Sequence, residues 1–371
     1  MTTFTISSGE LFSKCEKLAR VINSKNSLPV LDNFLFEVDG YNMKITAADS
    51  ENHAIAELEL NDKAEAANFG IAAKTFVAAL KELPEQPITI TIDGNECNIK
   101  YSNGQFNVPV ASVDEYPHIP KLREESSLTI TAEAYKRIIA KASAFVTIDE
   151  LRPTISGICF NFKDKLEAVG SDGHALIRLT EEYQGGGEGT FIMSLKTAKL
   201  SETYLGKNTG DVQISYTATH LHIKVEGFDL YSRLINGKYP NYNSVIPTNY
   251  TQYIEFNRTE MLNGVKRVSV FSNVASRLLR FSLQGMQLNI SGNDYDFSTK
   301  AEETMMVDKY GNDMNIGLKA DLTMTVLNSY ADERLKMHYM DQSRAVIFTA
   351  VEDTESNHSM LILLMPMMLN E

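Results

Sequence analysis

Four neighbouring residues, Ser171-Asp172-Gly173-His174, place a hydroxyl, a carboxylate and an imidazole in one short segment. These are the three groups of a nucleophilic triad, in which a base activates a hydroxyl for attack. The members of a triad converge from separate elements of a fold, however, and Asp-Gly pairs are typical of turns. The segment therefore predicts a turn at the end of a strand, and we expect no catalytic residue here.

Two further patterns could form chemical sites. His220 and His222 lie two residues apart, so on a strand both would lie on one face and present two metal ligands. No cluster supplies an obvious third ligand, which favours surface histidines. The run 185–189 lacks the Lys and the Ser or Thr of a phosphate-binding loop and indicates a flexible connection. We expect neither a metal nor a cofactor.

The composition is that of a globular chain with an acidic balance. The 371 residues include 35 basic and 48 acidic side chains, for a net charge of −13, which by itself argues against nucleic acid as a partner. Three widely spaced cysteines indicate a reducing compartment. The first ten residues lack the apolar region of a signal peptide, and no apolar run is long enough to span a bilayer. We expect a cytoplasmic, nucleoid-associated protein that does not bind membranes.

The elements that would position these residues repeat with a period of about 120 residues. The first marker is a strand–turn–strand segment that begins near a Phe and ends at an Asp 13, 12 and 13 residues later. The three pairs are Phe36 and Asp49, Phe160 and Asp172, and Phe281 and Asp294. In the first copy, Asp39-Gly40 is a typical hairpin turn.

A second marker is a lysine followed by a helical pattern, at Lys74, Lys196 and Lys319, with spacings of 122 and 123. Each copy also opens with an amphipathic helix after a capping Ser, Thr or Asn. Tyr116-Pro117 and Tyr239-Pro240 indicate extended linkers. The sequence therefore predicts an α+β protein with antiparallel sheets, divided into three domains at 1–122, 123–248 and 249–371.

The net charge is distributed unevenly among these elements. The six predicted helices, at 9–22, 74–84, 131–146, 196–205, 257–271 and 319–330, hold 14 basic and 7 acidic residues. The helices therefore sum to +7 and the rest of the chain to −20. A helix layer of this charge would suit contact with phosphates that is independent of base sequence. Surface helices often contain lysine, however, so the charge alone is also compatible with helices that simply face solvent.

Several short segments, in this order and spacing, resemble one family over the whole chain. They are Ser27 to Leu31, Arg152, Ile155 to Gly157, Ser171 to His174, Gly237 to Pro240, Val245 to Pro247 and Met365 to Leu369. With the threefold repeat, they resemble the bacterial β sliding clamps, the β subunits of DNA polymerase III. The resemblance implies a head-to-tail homodimer that closes into a ring, with helices lining the hole and sheets forming the outer shell.

The resemblance also implies the partners and the function. Such a ring encircles double-stranded DNA without sequence specificity, is opened by a clamp loader, and tethers the replicative polymerase and other proteins through clamp-motif peptides. It is a processivity factor and not an enzyme. The residues predicted to face DNA are Lys14, Lys17, Arg20, Lys25, Lys136, Arg137, Lys141, Arg152, Lys196, Lys199, Lys266 and Arg267. Those predicted at the dimer interface are Phe106, Val108, Val270 and Phe271, for which ordinary core packing is the alternative.

The peptide pocket implied by the resemblance lies between the second and third domains. Its predicted residues are Ile155, Ser171, Gly173, His174, Ala175, Leu176, Pro240, Val245, Leu363, Met365, Pro366, Met367, Met368 and Leu369. Ala175 and Met368 stand where the family commonly has Arg, so peptide preference is expected to differ. The alternative function is a peptide-binding scaffold that does not enclose DNA, which would show no dependence on DNA topology.

Overall fold

A computed structural model of the protein describes residues 1–122, 126–185, 188–206, 210–225, 227–351 and 359–369. Part of the glycine run at 185–189 and the predicted domain boundary at residue 123 lie outside the described residues.

The same order of elements occurs three times. The first copy comprises β1 (Thr2–Ser7), α1 (Ser8–Leu18), β2 (Asn33–Ala48), β3 (Asn52–Ala72), α2 (Ala73–Lys81), β4 (Pro87–Asp93), β5 (Glu96–Tyr101) and β6 (Gly104–Ala111). The second comprises β7 (Ser126–Thr131), α3 (Ala132–Ser143), β8 (Gly157–Phe162), β9 (Leu166–Ser171), β10 (Ala175–Glu181), β11 (Gln184–Gly185), β12 (Gly189–Ser194), α4 (Leu195–Leu205), β13 (Asp211–Tyr216), β14 (His220–Val225) and β15 (Phe228–Arg233).

The third copy comprises β16 (Gln252–Asn257), α5 (Arg258–Ser269), β17 (Leu278–Gln284), β18 (Gln287–Asp294), β19 (Thr299–Met306), β20 (Asp308–Tyr310), β21 (Met314–Lys319), α6 (Ala320–Ser329), β22 (Arg334–Tyr339), β23 (Val346–Ala350) and β24 (Ser359–Leu364). Each of the six predicted helices is present, and the bounds differ from the predicted ones by a few residues.

The opening helices begin where the sequence places a capping residue. Ser7 accepts a hydrogen bond from the N–H of Glu10 at 3.1 Å, and Asn257 accepts one from Glu260 at 3.0 Å. Thr131 accepts from the third residue after it in the same way, at 3.3 Å. Each contact satisfies an amide that would otherwise lack a partner in the first turn, which explains why the helices begin here.

The helices and strands bury one side each, as their periodicity predicts. In α1 the buried apolar side chains are Leu11, Cys15 and Leu18, spaced by four and three residues. In β4 the buried side chains alternate with partly exposed or exposed ones. Gly40 has φ of +63° where the register of β2 against β3 shifts, and Lys44 contacts Glu37 at 2.7 Å. The positive φ and the register shift both fall at Asp39-Gly40, the predicted turn pair, although β2 continues through it.

The strands form three antiparallel sheets. The first has the order β1-β4-β5-β6-β3-β15-β14-β13-β7-β11, with β2 paired to β3. The second has the order β12-β8-β9-β10-β24-β23-β22-β16-β20, and the third β19-β18-β17-β21. Thus β3 and β15 join the first copy to the second, and β10 and β24 join the second to the third.

These shared sheets explain why the chain has two compact units although it has three repeats. One unit contains 1–135, 184–187 and 196–234, and the other 136–183, 188–195 and 235–371. The second copy therefore contributes strands to both units. The three-domain boundaries remain a prediction.

Candidate functional site

A cavity of about 540 Å³ lies within the second compact unit. It brings together ten of the residues predicted for the peptide pocket: Ile155, Ser171, Gly173, His174, Ala175, Leu176, Pro240, Val245, Leu363 and Met365. The remaining lining residues are Leu151, Arg152, Pro153, Thr154, Tyr239, Asn241 and Tyr242. The sequence pattern indicates Tyr239 as a linker residue, and no periodicity singles out Leu151 or Tyr242.

Strand pairing positions the apolar wall of the cavity. Leu176 on β10 lies opposite Leu363 on β24 and Ser171 on β9. Leu176 and Leu363 are 5% and 3% exposed and belong to one hydrophobic cluster. Because side chains alternate along a strand, Leu361 shares this cluster with Leu363, whereas Ile362 does not. The wall is therefore fixed by a sheet and not by mobile loops.

The segment Ser171 to His174 closes the turn between β9 and β10. The Ser171 hydroxyl donates to the carbonyl of Ala175 at 2.7 Å. The Asp172 carboxylate accepts from the N–H groups of His174 and Ala175 at 2.8 and 2.7 Å. Gly173 has φ of +88°, which favours glycine. Both reactive side chains thus bind backbone, which agrees with the predicted turn.

The loop at 149–156 forms one rim of the cavity. The Arg152 guanidinium donates to Asp149 at 2.7 Å, and this hydrogen bond holds the pKa of the Asp149 carboxyl below its usual range. The Asp149 N–H donates to the Ser156 hydroxyl at 2.8 Å. Leu151 projects from the same loop and is 92% exposed. An exposed apolar side chain beside an apolar cavity suits a surface that another molecule covers.

Two tyrosines contribute to the cavity wall. The Tyr242 hydroxyl donates to Glu167 at 2.6 Å and accepts from Asn161 at 2.9 Å. Burial raises the pKa of Tyr242 and that of Tyr239. Both phenols are therefore neutral at physiological pH. They add rigid apolar surface to the lining.

The C-terminal segment lies against a second, smaller cavity. This cavity has a volume of about 220 Å³ and is lined by Gln342, Ser343, Pro366, Met367, Met368 and Leu369. The last four residues predicted for the peptide pocket, Pro366 to Leu369, therefore do not line the main cavity, which contains the other ten. The Met365 N–H donates to the His174 carbonyl at 2.8 Å, and the Met367 N–H donates to the Gly317 carbonyl at 2.8 Å. A Cβ at Gly317 would lie 2.6 Å from the Met367 oxygen, so this close approach requires glycine.

The predicted DNA-facing cations divide into three groups. Five bind groups of the protein itself: Lys14 to the Gly227 carbonyl, Arg137 to Glu181, Arg152 to Asp149, Lys196 to Asp49, and Arg267 to Glu303. Four others are exposed and have no ion-pair partner in the described part of the chain: Arg20, Lys25, Lys199 and Lys266.

The remaining cations Lys17, Lys136 and Lys141 are half-buried. The ammonium groups of Lys14 and Lys17 lie 4.2 and 5.1 Å from the centre of the Phe228 ring. Burial lowers the pKa of Lys141, and the Arg137 charge adds to this effect. The twelve positions therefore do not form one uniform set of free charges.

The four predicted interface residues lie on two elements. Phe106 is half-buried and Val108 is 7% exposed, both on β6. Val270 and Phe271 follow α5 and are 73% and 43% exposed. Core packing accounts for Val108 within one chain, whereas it does not account for Val270.

The histidine pair is engaged by neighbouring side chains. His222 contacts Asp229 at 2.6 Å and stacks on Tyr231, while His220 contacts Thr219 at 2.9 Å. No group of three or more possible metal ligands occurs among the described residues. In the same residues, no helix is long and apolar enough to cross a membrane.

Comparisons with known proteins identify the family. Residues 2–120, 129–241 and 243–367 match the N-terminal, central and C-terminal domains of the DNA polymerase III beta subunit. The chain belongs to the DNA polymerase III beta-subunit family. This family is that of the sliding clamps, which are processivity factors and not enzymes. The predicted α+β fold of three repeated domains is confirmed.

Similar clamps span the full length of the chain. The Haemophilus influenzae beta sliding clamp is 24% identical over 372 residues, covering 99% of this chain and 100% of the relative. The Escherichia coli beta sliding clamp is 23% identical over 369 residues, with coverage of 99% and 100%.

Solved clamp structures have the same fold. A Pseudomonas aeruginosa DNA polymerase sliding clamp with ligand gives a TM-score of 0.94 at 22% identity, with both chains fully covered. A Pseudomonas aeruginosa clamp bound to griselimycin gives 0.94 at 23% identity, covering 99% of this chain and 100% of that one.

Proposed function

We propose that this chain is a DNA sliding clamp, in which two copies close a ring around duplex DNA and tether the replicative polymerase. The observation that supports this most directly is the match of three beta-subunit domains, in order, over almost the whole chain. The clamp itself catalyses no reaction. It would act in the cytoplasm, at the nucleoid.

The internal repeat supports closure by two copies. β3 pairs with β15 at the first junction between repeats, and β10 pairs with β24 at the second. In the third copy, the strand equivalent to β3 and β10 is β19. In the first copy, the strand equivalent to β15 and β24 is β6. These two strands lie in different sheets of the same chain. Pairing β19 of one chain with β6 of another would repeat the junction and close the ring.

The register within the chain supports a place for the predicted interface residues at this junction. Phe106 and Val108 are the third and fifth residues of β6. The third and fifth residues of β15 are Leu230 and Ser232, which lie opposite Ala54 and Asn52 of β3. A head-to-tail junction at β6 therefore follows the pattern that the chain already uses internally.

The charge of the helices supports contact with DNA phosphates. A net charge of +7 on the helices, within a chain of −13, would attract the backbone without reading bases. The exposed cations Arg20, Lys199 and Lys266 are free to make such contacts. Weak contacts of this type let a ring slide, while its closed topology prevents release.

The main cavity is proposed to bind clamp-motif peptides of the polymerase, the clamp loader and other partners. Its wall is apolar, with Leu176 and Leu363 at the base and Val245 and Met365 at the rim. Methionine is flexible and polarizable, which suits a surface that accepts several partners. A peptide bound here would hold a polymerase at high effective concentration near its template.

The test is retention on nicked circular DNA after loading by the clamp loader. The same sample is then linearised with a restriction enzyme, and protein that remains with the DNA is measured by gel filtration. We expect the protein to stay on circles and to leave linear DNA from its ends. Equal retention on both forms would contradict the ring, and a peptide-binding scaffold would then be the better explanation.

A further inference from the structure

The thiols of this protein are shielded, so its accessible oxidisable sulfur lies in methionine. The chain contains three cysteines, and all three are buried. Burial raises the pKa of the Cys97 thiol to about 12 and that of the Cys159 thiol to about 11. Oxidants react with exposed thiolates, and these thiols are neither exposed nor ionised at physiological pH. The thioethers are therefore the sulfur groups that an oxidant in solution can reach.

The 15 methionines differ in how far solvent reaches them. Met43, Met193 and Met337 are buried in the core, so the folded chain shields their sulfur atoms. Because an oxidant must reach the sulfur from solvent, we expect sulfoxide formation at the exposed methionines instead. These are Met1, Met286, Met306, Met340, Met365 and Met368.

Met365 combines exposure with a position at the main cavity. It lines the cavity and follows β24, the strand that forms one wall. Its N–H donates to the His174 carbonyl at 2.8 Å, which fixes the backbone at the rim. The residue is 41% exposed. A peptide in the cavity would cover part of this exposed surface, so its affinity would depend on the chemical state of the thioether.

Oxidation would change the polarity of this rim. A hydroperoxide transfers one oxygen atom to the sulfur: the O–O bond breaks, an S–O bond forms, and the rest of the hydroperoxide leaves as water or an alcohol. The sulfur loses two electrons and the hydroperoxide gains them. The product, methionine sulfoxide, is polar and chiral, whereas the thioether is apolar and flexible.

The cavity offers the sulfoxide oxygen few hydrogen-bond donors once a peptide covers it. The Ser171 hydroxyl already donates to a backbone carbonyl, and the Tyr242 hydroxyl donates to Glu167. Leu176 in the same lining has no donor in its side chain. A polar group that loses water without gaining a hydrogen bond disfavours burial. The oxidised rim should therefore bind an apolar peptide less tightly.

We propose that Met365 is a reversible oxidation site that controls peptide binding: a hydroperoxide converts its thioether to the sulfoxide, and the sulfoxide weakens the hold on the partner peptide. This inference rests on the proposed binding of clamp-motif peptides. Reduction by a methionine sulfoxide reductase, in which two thiols become a disulfide and the sulfoxide oxygen leaves as water, restores the apolar rim. The clamp would thus release partners under oxidising conditions and bind them again afterwards.

Peptide binding and oxidation should also oppose each other in the reverse sense. A peptide that covers Met365 shields its sulfur from the oxidant. Met340 is 38% exposed and lies outside both cavities, so it stays accessible. We therefore expect Met365 to be oxidised more slowly in an occupied clamp than in a free one, and Met340 to be oxidised equally in both.

The test compares peptide affinity before and after treatment of the full chain with hydrogen peroxide. Fluorescence anisotropy with a labelled clamp-motif peptide of the replicative polymerase gives the affinity, and peptide-mapping mass spectrometry gives the extent of oxidation at each methionine. We expect oxidation at Met365 to raise the dissociation constant about tenfold, because a polar group is buried without a partner. Reductases for both sulfoxide epimers should restore the original value.

Two variants assign the effect to one residue. Leucine is close to methionine in volume and cannot form a sulfoxide. For each chain the measured quantity is the ratio of the dissociation constants after and before peroxide, whatever the starting affinity. We expect a ratio within about twofold for Met365→Leu and of about tenfold for the control Met340→Leu. Saturating peptide during the treatment should slow oxidation at Met365 about fivefold or more and leave Met340 unchanged.

Three results would overturn the proposal while the untreated chain still binds the peptide and the proposed function stands. The first is unchanged affinity in a chain oxidised at Met365. The second is a Met365→Leu chain whose ratio equals that of the unaltered chain. The third is a Met365 that stays reduced while Met340 is oxidised. An untreated chain that binds no peptide would instead overturn the peptide site itself, and the oxidation site with it.

Discussion

At the scale of single residues, the main cavity has two kinds of lining side chain. The apolar ones are available to contact a partner, whereas the polar ones bind groups of the protein itself. Ser171 and Asp172 bind backbone groups of their own turn, and Arg152 binds Asp149. Leu151, Val245 and Met365 line the cavity and remain exposed. We therefore expect partner binding to depend more on these apolar side chains than on the segment Ser171 to His174.

Met365→Ala is expected to weaken peptide binding about tenfold, because burying a methionine side chain contributes on the order of 1.5–3 kcal/mol and alanine retains part of it. Fluorescence anisotropy with a labelled peptide from the replicative polymerase of the same cell would measure the change. Met340→Ala is a matched control, since Met340 is 38% exposed, Met365 is 41% exposed, and Met340 lies outside both cavities. Equal effects of the two substitutions would contradict the assignment.

His338 is expected to make the second unit less stable in mild acid. Burial lowers the pKa of His338 to about 4, and the Lys336 charge adds to this. Between pH 6.5 and 4 the unfolded chain binds a proton at this position that the folded chain does not, so stability falls as the pH falls. His338→Gln should flatten the dependence of the thermal midpoint on pH in this range, whereas His118→Gln, at an exposed position, should not. An unchanged pH profile in both variants would rule out this role.

At the scale of elements, strand pairing and the C-terminal segment decide how the cavity is built. The β10–β24 ladder places residue 176 beside residue 363, and the segment after β24 continues across Gly317 on β21. A segment fixed by two backbone hydrogen bonds, at Met365 and Met367, is part of the fold and not a free tail. The position of Met365 at the rim therefore depends on contacts made two residues later.

Gly317→Ala is expected to displace the C-terminal segment and to weaken peptide binding by about tenfold, because the new Cβ would lie 2.6 Å from the Met367 oxygen. Asn315→Ala, at an exposed position of the same strand, is the control. Peptide affinity and the rate of C-terminal cleavage by carboxypeptidase would report the two effects. A Gly317→Ala chain with normal affinity and a protected C-terminus would show that the neighbouring groups adjust without cost.

At the scale of the whole molecule, a protein of net charge −13 is proposed to enclose a polyanion. The helices and the remaining chain carry charges of opposite sign, and five predicted DNA-facing cations already bind groups of the protein. The exposed, unpaired cations are therefore the best candidates for phosphate contact.

Replacing Arg20, Lys199 and Lys266 together with Ala is expected to reduce the salt dependence of DNA binding. Each lost phosphate contact should lower the slope of log affinity against log salt by about 0.9. The control replaces Lys63, Lys100 and Lys224, which are exposed strand residues, and makes the same change in net charge. If both triple variants changed the slope equally, net charge and not helix position would govern binding.

The sequence by itself determined the features that depend on neighbours along the chain. Caps at Ser7, Thr131 and Asn257 and the spacing of buried residues place the opening helices, because a helix is stabilised by contacts within a few residues. The period of about 120 residues gives three copies of one α+β unit. The peptide-pocket residues came from the family resemblance, since no spacing brings residue 176 near residue 363.

Only the tertiary structure decided which distant groups meet. Strand order is set by packing between sheets, so it brings the loop at 149–156, Tyr239 and β24 around one cavity, although Tyr239 had the pattern of a linker. It also separates Pro366 to Leu369 from that cavity. Finally, it commits Lys196 to Asp49, 147 residues away, because a buried carboxylate draws the cation that reaches it, whatever helix that cation lies on.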